Sequence, residues 1–322
     1  MRLVTIDNSY DGQSGAVIGD EILNLSAVKD LRQPTLANWI PNSVLGIIEG
    51  GPEALAVVDR LVKSIEDASD RVKDRLRERR SLTPAAQTPF LAPIPRPKIV
   101  FSTGRSYLSH DEEMMRAGAL AEVPPPPRFP PGFFKNTNAI IGNGQPIVLP
   151  KAAPNMVDWE CEVSVVIGRT CHNIGKDEAL DYVVGHTIIN DVSARDWVGE
   201  FRATGNPATN TLGKQFRTFC PIGPCIATND EIPDPHDIEF SLRLNGRVMQ
   251  HDNVKNSYFR IGDIIAYYSQ WLTFQSGDII SRGNPAGVGY AQSPQVFLRS
   301  GDTIEMEADG IGRMTLPVIA EE

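Results

Sequence analysis

From about residue 134 onward the chain is a succession of short apolar runs cut by turn residues, a rhythm that restricts it to strands joined by tight turns. Ile140-Ile141 precedes a Gly-Asn-Gly turn, and VSVVIG (163–168), VVGHTII (183–189) and LRLNGR (242–247) follow. Two late units, SGDII at 276 and SGDTI at 300, each set a turn ahead of a strand. With 27 Gly and 25 Pro in 322 residues, long enough for a substantial core, the composition favours short strands over a helical bundle. The expected fold is α+β, mostly β, with a strand-rich barrel or sandwich in its second part.

The first part reads differently. Residues 2–6, 16–18 and 22–25 have the pattern of small antiparallel strands, and a helix is expected over 52–80 from the spacing of Leu55, Val58, Leu61, Val62, Ile65, Val72 and Leu76. Its basic end, RLRERR, suits the negative pole of a helix. The proline-rich text SLTPAAQTPFLAPIPRP (81–97) lacks periodicity, which sets a boundary near residue 95 between a small N-terminal domain (1–95) and a larger domain (96–322). A second proline-rich stretch, 123–132, is either a stiff linker or the rim of a site.

A formal charge of −9 and a pI near 5.2 argue against nucleic acid, which demands clustered Lys and Arg. No segment approaches the roughly 18 apolar residues of a membrane span, and the opening reaches Asp7 before any apolar run, so the expectation is a cytoplasmic protein of small-molecule partners. Cys161, Cys171, Cys220 and Cys225 lack the CxxC spacing of a zinc site and read as reduced, structural thiols.

The chemistry concentrates in DWECEVSVVIG (158–168). As a strand with period two, Trp159, Cys161, Val163, Val165 and Ile167 form one apolar face, while Glu160, Glu162, Ser164 and Val166 share the other. Side chains two apart stand roughly 6 to 7 Å apart, so the two carboxylates either lie on a solvated outer face of an edge strand or converge on a cation. A third acid, Asp191, ends the apolar run at 183–190, close to Arg195. Three carboxylates without His or Cys make an all-oxygen set, suited to Mg²⁺ first, then Mn²⁺ or Ca²⁺, with open positions for ligand oxygens. An anionic ligand would need positive charge nearby, for which Arg105, Lys135, Arg195 and Lys214 are the candidates.

In GRSYLSHDEE (104–113), a helix starting after the glycine puts His110 and Glu113 at i and i+3, where the carboxylate fixes the imidazole and raises its basicity. His186, in mid-strand, reads as a hydrogen-bonded structural histidine.

The ordered set GRSYLSHDEE, FFKN (133–136), VDWECEVSVVIG, GHTIINDVSARD (185–196), LGKQFRTFCPIGP (212–224), LRLNGRVMQ (242–250) and SGDIISRGNPAGVG (276–289) resembles the fumarylacetoacetate hydrolase superfamily, with its short acylpyruvase-like members nearest in layout. The resemblance, from Lys98 to the C-terminus, implies a β-roll catalytic domain, a small N-terminal domain and a homodimer. It also implies Glu160, Glu162 and Asp191 as metal ligands, His110 and Glu113 as the water-activating dyad, and Lys214 as a carbonyl-polarising lysine. Arg195, with Arg105, Tyr107, Lys135 and Asn284, would bind substrate.

The implied activity is metal-dependent hydrolysis of a C–C bond in an acylpyruvate or related β-diketo acid, the ion acting as a Lewis acid that stabilises an enolate. The same chemistry admits decarboxylation of a 2-oxo acid, hydration or dehydration, or isomerisation, and the fold alone would admit a non-catalytic binding protein. Three departures bear on the choice. Trp197 and Val198 stand where the family carries a glutamine after SARD, Asn284 replaces a threonine of TGTPAGVG, and Arg217 replaces an acidic residue.

Overall fold

The computed structural model describes residues 1–28, 40–197 and 211–322. Its architecture is α+β and mostly β. Among the described residues, the main path of the larger sheet runs in the order Leu82–Pro84, Glu21–Asn24, Gln13–Ile18, Arg2–Ile6, Cys220–Thr228, Val183–Asn190, Cys161–Ile167, Ile279–Ser281, Val100–Thr103, Gly132–Phe134. A second sheet orders Arg247–Asn253, Glu239–Leu244, Thr303–Ala308, Gly312–Ala320 and Ile147–Leu149.

The strand carrying the glutamates is central in the larger sheet. Val and Ile fill it, as befits a strand covered on both faces, and all seven residues of Cys161–Ile167 are buried. It pairs antiparallel with Val183–Asn190 on one side and Ile279–Ser281 on the other. One face, with Cys161 and Val163, packs on Leu242, Met306 and Leu316 of the second sheet; further along, Val165 and Ile167 meet Ile261, Ile264 and Ile265 of helix Ile261–Tyr268. Val166, on the face of Glu162, joins a core shared with the N-terminal helices.

Residues 1–95 are built into this framework. Leu3 pairs with Ile226 in the large sheet, and Val58, Val62 and Ile65 share a core with Val166, Ile189 and Ile279. The three early strands are antiparallel neighbours, as their sequence pattern indicates. The single helix expected over 52–80 is instead two, Gly51–Glu66 and Asp70–Glu78. Ser69 takes extended φ/ψ and starts the second helix, a break that the apolar spacing across the gap does not reveal. All four cysteines are free and buried, with Cys161 in the core as its alternation with the glutamates requires.

Candidate functional site

Alternation along the central strand turns Glu160 and Glu162 to the face opposite Cys161. Asp191, directly after strand Val183–Asn190, is brought beside them because its N–H donates to Glu160 O at 2.9 Å, while Asn190 Oδ1 accepts the Glu160 N–H at 3.0 Å. One carboxylate oxygen from each of Glu160, Glu162 and Asp191 lies within 4.8 Å of the others, and the three residues are 5%, 1% and 1% exposed. A solvated edge-strand face is therefore excluded.

Three cations frame the cluster. Lys214 Nζ donates to Glu160 Oε2 at 2.7 Å, to Asp191 Oδ2 at 2.6 Å and to Ser193 Oγ at 2.9 Å. Lys135 Nζ reaches Asp191 Oδ1 at 2.5 Å and the Lys214 carbonyl at 2.6 Å. Arg195 pairs through Nη2 with Glu160 Oε1 at 2.7 Å and through Nε with Asp158 Oδ2 at 2.8 Å. Burial works to raise the Glu160 carboxyl, but Lys214 and Arg195 outweigh it and hold it down at about 2. Glu162 goes the other way: burial, then the charges of Asp191 and Glu160, push it well above the carboxylate range. Its Oε2 accepts from Ser281 Oγ, while Oε1 is buried with no hydrogen-bond partner. An orphaned buried oxygen within a set of hard oxygen donors fits a divalent cation such as Mg²⁺ or Mn²⁺.

Helix Leu108–Arg116 starts after the extended Tyr107 and brings His110 Nδ1 to 2.7 Å from Glu113 Oε1. A carboxylate only accepts, so Nδ1 carries the hydrogen and Nε2 is left as the basic nitrogen. Glu113 is itself fixed: its Oε2 accepts the Gly287 N–H at 2.7 Å. His110 lies near enough to the cluster that its protonated form would help lower Glu160.

The other expected residues are less uniform. Arg105, at φ +46°, turns to Asp111, with Nη2 at 3.2 Å from Oδ2 and at 3.1 Å from the Pro125 carbonyl, so the proline-rich stretch passes beside it. Tyr107 is buried in the hydrophobic core against Phe240, with its hydroxyl unpartnered. Asn284 is buried and donates to the Pro285 carbonyl at 3.0 Å. Arg217 is exposed, and Val198 lies outside the described residues. The hydrogen bonds expected at His186 are absent: the ring is buried and neither nitrogen has a partner.

Sequence reasoning passed over Asp158. Buried beside Glu160, it accepts from Gly289 N at 2.7 Å and Tyr290 N at 3.1 Å as well as from Arg195, tying the 285–290 loop to the site. Its place two residues before Glu160 was the available signal. Ser281, which holds Glu162, gave none beyond strand alternation.

This fold brings together, at one place, a buried acidic triad framed by cations and a His–Glu pair alongside it. Residues 99–319 match the family model of the fumarylacetoacetate (FAA) hydrolase C-terminal domain, and the chain belongs to that family of enzymes. It is 35% identical over 294 residues to the mitochondrial oxaloacetate tautomerase FAHD2A of Homo sapiens, covering 91% of this chain and 82% of that protein. Among solved structures it resembles the maleylpyruvate hydrolase of Sphingobium sp. SYK-6 in complex with manganese(II) and pyruvate (26% identity, TM-score 0.73), and a 5-carboxymethyl-2-hydroxymuconate delta-isomerase of Mycobacterium smegmatis (29%, TM-score 0.68), each over 100% of both chains. Among the described residues no helix is long and apolar enough to cross a membrane.

Proposed function

We propose that the chain is a divalent-metal-dependent enzyme that interconverts the keto and enol forms of a small 2-oxo dicarboxylic acid, with residues 96–322 carrying the site. The observation that carries this reading is the His110–Glu113 pair, in which a buried carboxylate at 2.7 Å leaves Nε2 as a base beside the acidic cluster. Glu160, Glu162 and Asp191 would hold the ion, Mg²⁺ in first place, and bound there it would supply Lewis-acid stabilisation of negative charge on the substrate oxygens.

The chain's own groups do the remaining work. Arg195, paired with Asp158 and Glu160, and Lys135, enclosed against Asp191 and the Lys214 carbonyl, supply the positive field that orients the anionic substrate without being its direct partners. His110 Nε2 takes a proton from the carbon beside the keto group, the C–H electron pair becomes the C2–C3 double bond, and the protonated ring returns that proton to the keto oxygen. Lys214, kept fully charged because Asp191 and Glu160 outweigh its burial, stabilises the oxygen while it is negative. The reverse sequence restores the keto form, so no atom is gained or lost.

Hydrolysis of a C–C bond in an acylpyruvate is the second reading, favoured by the same dyad acting on water and by the likeness to a maleylpyruvate hydrolase. The first is preferred because Trp197 and Val198 stand in place of the glutamine that would orient an attacked carbonyl, and because the 35% identical relative is named a tautomerase. Decarboxylation of the same acid is the lyase variant. A homodimer and a cytoplasmic location complete the proposal, to be checked by sedimentation and cell fractionation.

The test follows oxaloacetate enol-to-keto conversion by ultraviolet absorbance, and product masses from acylpyruvates, with Mg²⁺-loaded protein. His110→Ala should slow tautomerisation about 10²–10⁴-fold while ion affinity holds. An undiminished rate would remove the dyad from the reaction, and predominant release of pyruvate plus a free acid from an acylpyruvate would select hydrolysis.

A further inference from the structure

The acidic cluster occupies one face of the central strand; on the side of the other lies an arginine in the wall of a cavity. Val165 stands between His186 and Ile280 and points away from Glu162. Past Ser281, alternation puts Arg282 on that far side, its N–H donating to the Val163 carbonyl at 3.2 Å. There Arg282 forms part of the wall of a cavity of about 590 Å³, within the size range of small-molecule sites.

Arg282 is 2% exposed, and its Nη1 donates to the Pro235 carbonyl at 2.9 Å, but Nε and Nη2 are buried with no acceptor. Those two nitrogens lie on one edge of the guanidinium, where their parallel N–H bonds match the two oxygens of a carboxylate. A buried charge is costly without an anionic partner, and no carboxylate among the described residues pairs with this one. His186 and the Tyr107 hydroxyl, the neighbours that feel its charge, are also unpartnered.

Lys176, Lys255 and Arg260 line the same cavity, against Asp177 and Asp263. Asp263 is engaged in capping helix Ile261–Tyr268, where it accepts the Arg260 N–H at 3.0 Å, and Lys255 pairs with Asp237. Among the described residues Lys176 and Arg260 make no ion pair, which leaves these two cations, with Asp177 as the single opposing charge outside the helix cap, for a second anionic group.

We infer that this cavity is a second ligand site that takes a small organic dicarboxylate, one carboxylate lying side-on across Nε and Nη2 of Arg282 and the other at Lys176 and Arg260. The two nitrogens are closed off from water, so entry requires side chains lining the cavity beside Arg282 to shift; His236, half-buried and with a ring that makes no hydrogen bond among the described residues, is one that is free to do so. The inference is independent of the reaction proposed for the acidic cluster.

Calorimetric titration of succinate into the Mg²⁺-loaded protein tests it. Arg282→Met should weaken binding about tenfold or more, and the exposed double variant Lys176→Ala with Arg260→Ala several-fold, whereas Glu160→Gln should leave it intact. If Arg282→Met fails to fold by circular dichroism, the double variant and Glu160→Gln decide the matter. Binding that survives the cavity substitutions and disappears in Glu160→Gln would place succinate in the acidic cluster and overturn the inference. The absence of saturable binding to the wild type would do the same, and tighter binding of inorganic phosphate than succinate would overturn the carboxylate class.

Discussion

His186 should make the protein lose stability as the medium turns mildly acid, and its surroundings set the size of the effect. Burial, then the charges of Arg282 and His236, pull the imidazole down to about 3 from the ordinary 6.5. Between those two values the unfolded chain binds a proton that the folded chain refuses, so the free energy of unfolding rises with pH there and falls as pH drops below 6.5. Each pH unit is worth about 1.4 kcal/mol, which makes the loss at pH 5 about 2 kcal/mol relative to pH 7.5. That figure is insensitive to the depth of the shift, since any folded value below about 4 gives nearly the same result at pH 5. Other groups titrate too, so the quantity to measure is the difference between wild type and His186→Leu. Denaturant unfolding at fixed protein concentration, at pH 7.5 and 5, should show that difference moving by about 2 kcal/mol in favour of the variant. A difference that stays constant within about 0.5 kcal/mol would mean that the ring titrates normally, and the burial argument would fail.

Two further substitutions probe the acidic cluster and its support. Glu162→Gln should weaken Mn²⁺ binding at least about tenfold in a calorimetric titration yet raise the melting temperature of the ion-free protein, because folding no longer has to bury an ionisable carboxyl that its surroundings, beside Asp191 and Glu160, keep protonated. Unchanged affinity would move the ion elsewhere. Gly287 sits at φ +107°, and a Cβ there would lie 2.0 Å from the Met249 carbonyl oxygen. Gly287→Ala should therefore cost more than about 2 kcal/mol of stability and, by shifting the N–H that holds Glu113, lower turnover; a variant with wild-type melting and rate would show the loop to be uncoupled from the dyad.

What could be read from the sequence was local. Period-two alternation at 159–167 placed Glu160 and Glu162 on one face, and helical spacing placed His110 over Glu113; in each case neighbours within a few residues determine the geometry. Whether the strand was central or at an edge depended on Val183–Asn190 and Ile279–Ser281, the latter more than a hundred residues away, and no local pattern reports such pairing. For the same reason Leu3 opposite Ile226, which builds the first strand into the large sheet, was invisible. Arg282 shows the limit most clearly: in the text it is a basic residue next to a glycine, a surface position by composition, and only strand alternation beyond Ser281 carries it into the interior.

The cations around the cluster are not equivalent. Arg195 is shared between Asp158 and Glu160, and Lys135 is fully enclosed against Asp191 and the Lys214 carbonyl, so both are fixed parts of the frame. Of these cations, Lys214 alone spans two of the three clustered carboxylates, through Glu160 Oε2 and Asp191 Oδ2. In the proposed reaction its ammonium would oppose ion binding even as it stabilises the substrate oxygen. Two unit charges about 4 Å apart interact by roughly 4 kcal/mol at an effective dielectric of 20, and an ion of double charge feels more, so even a strongly screened remainder exceeds the 1.4 kcal/mol of a tenfold change. Lys214→Met, which keeps the length and removes the charge, should accordingly bind Mn²⁺ about tenfold or more tighter while losing most of its turnover. A lysine that merely props the fold would give the opposite pair of results in calorimetry and steady-state kinetics, weaker ion binding with turnover lost in proportion, and that outcome would refute the division of labour between the ammonium and the ion.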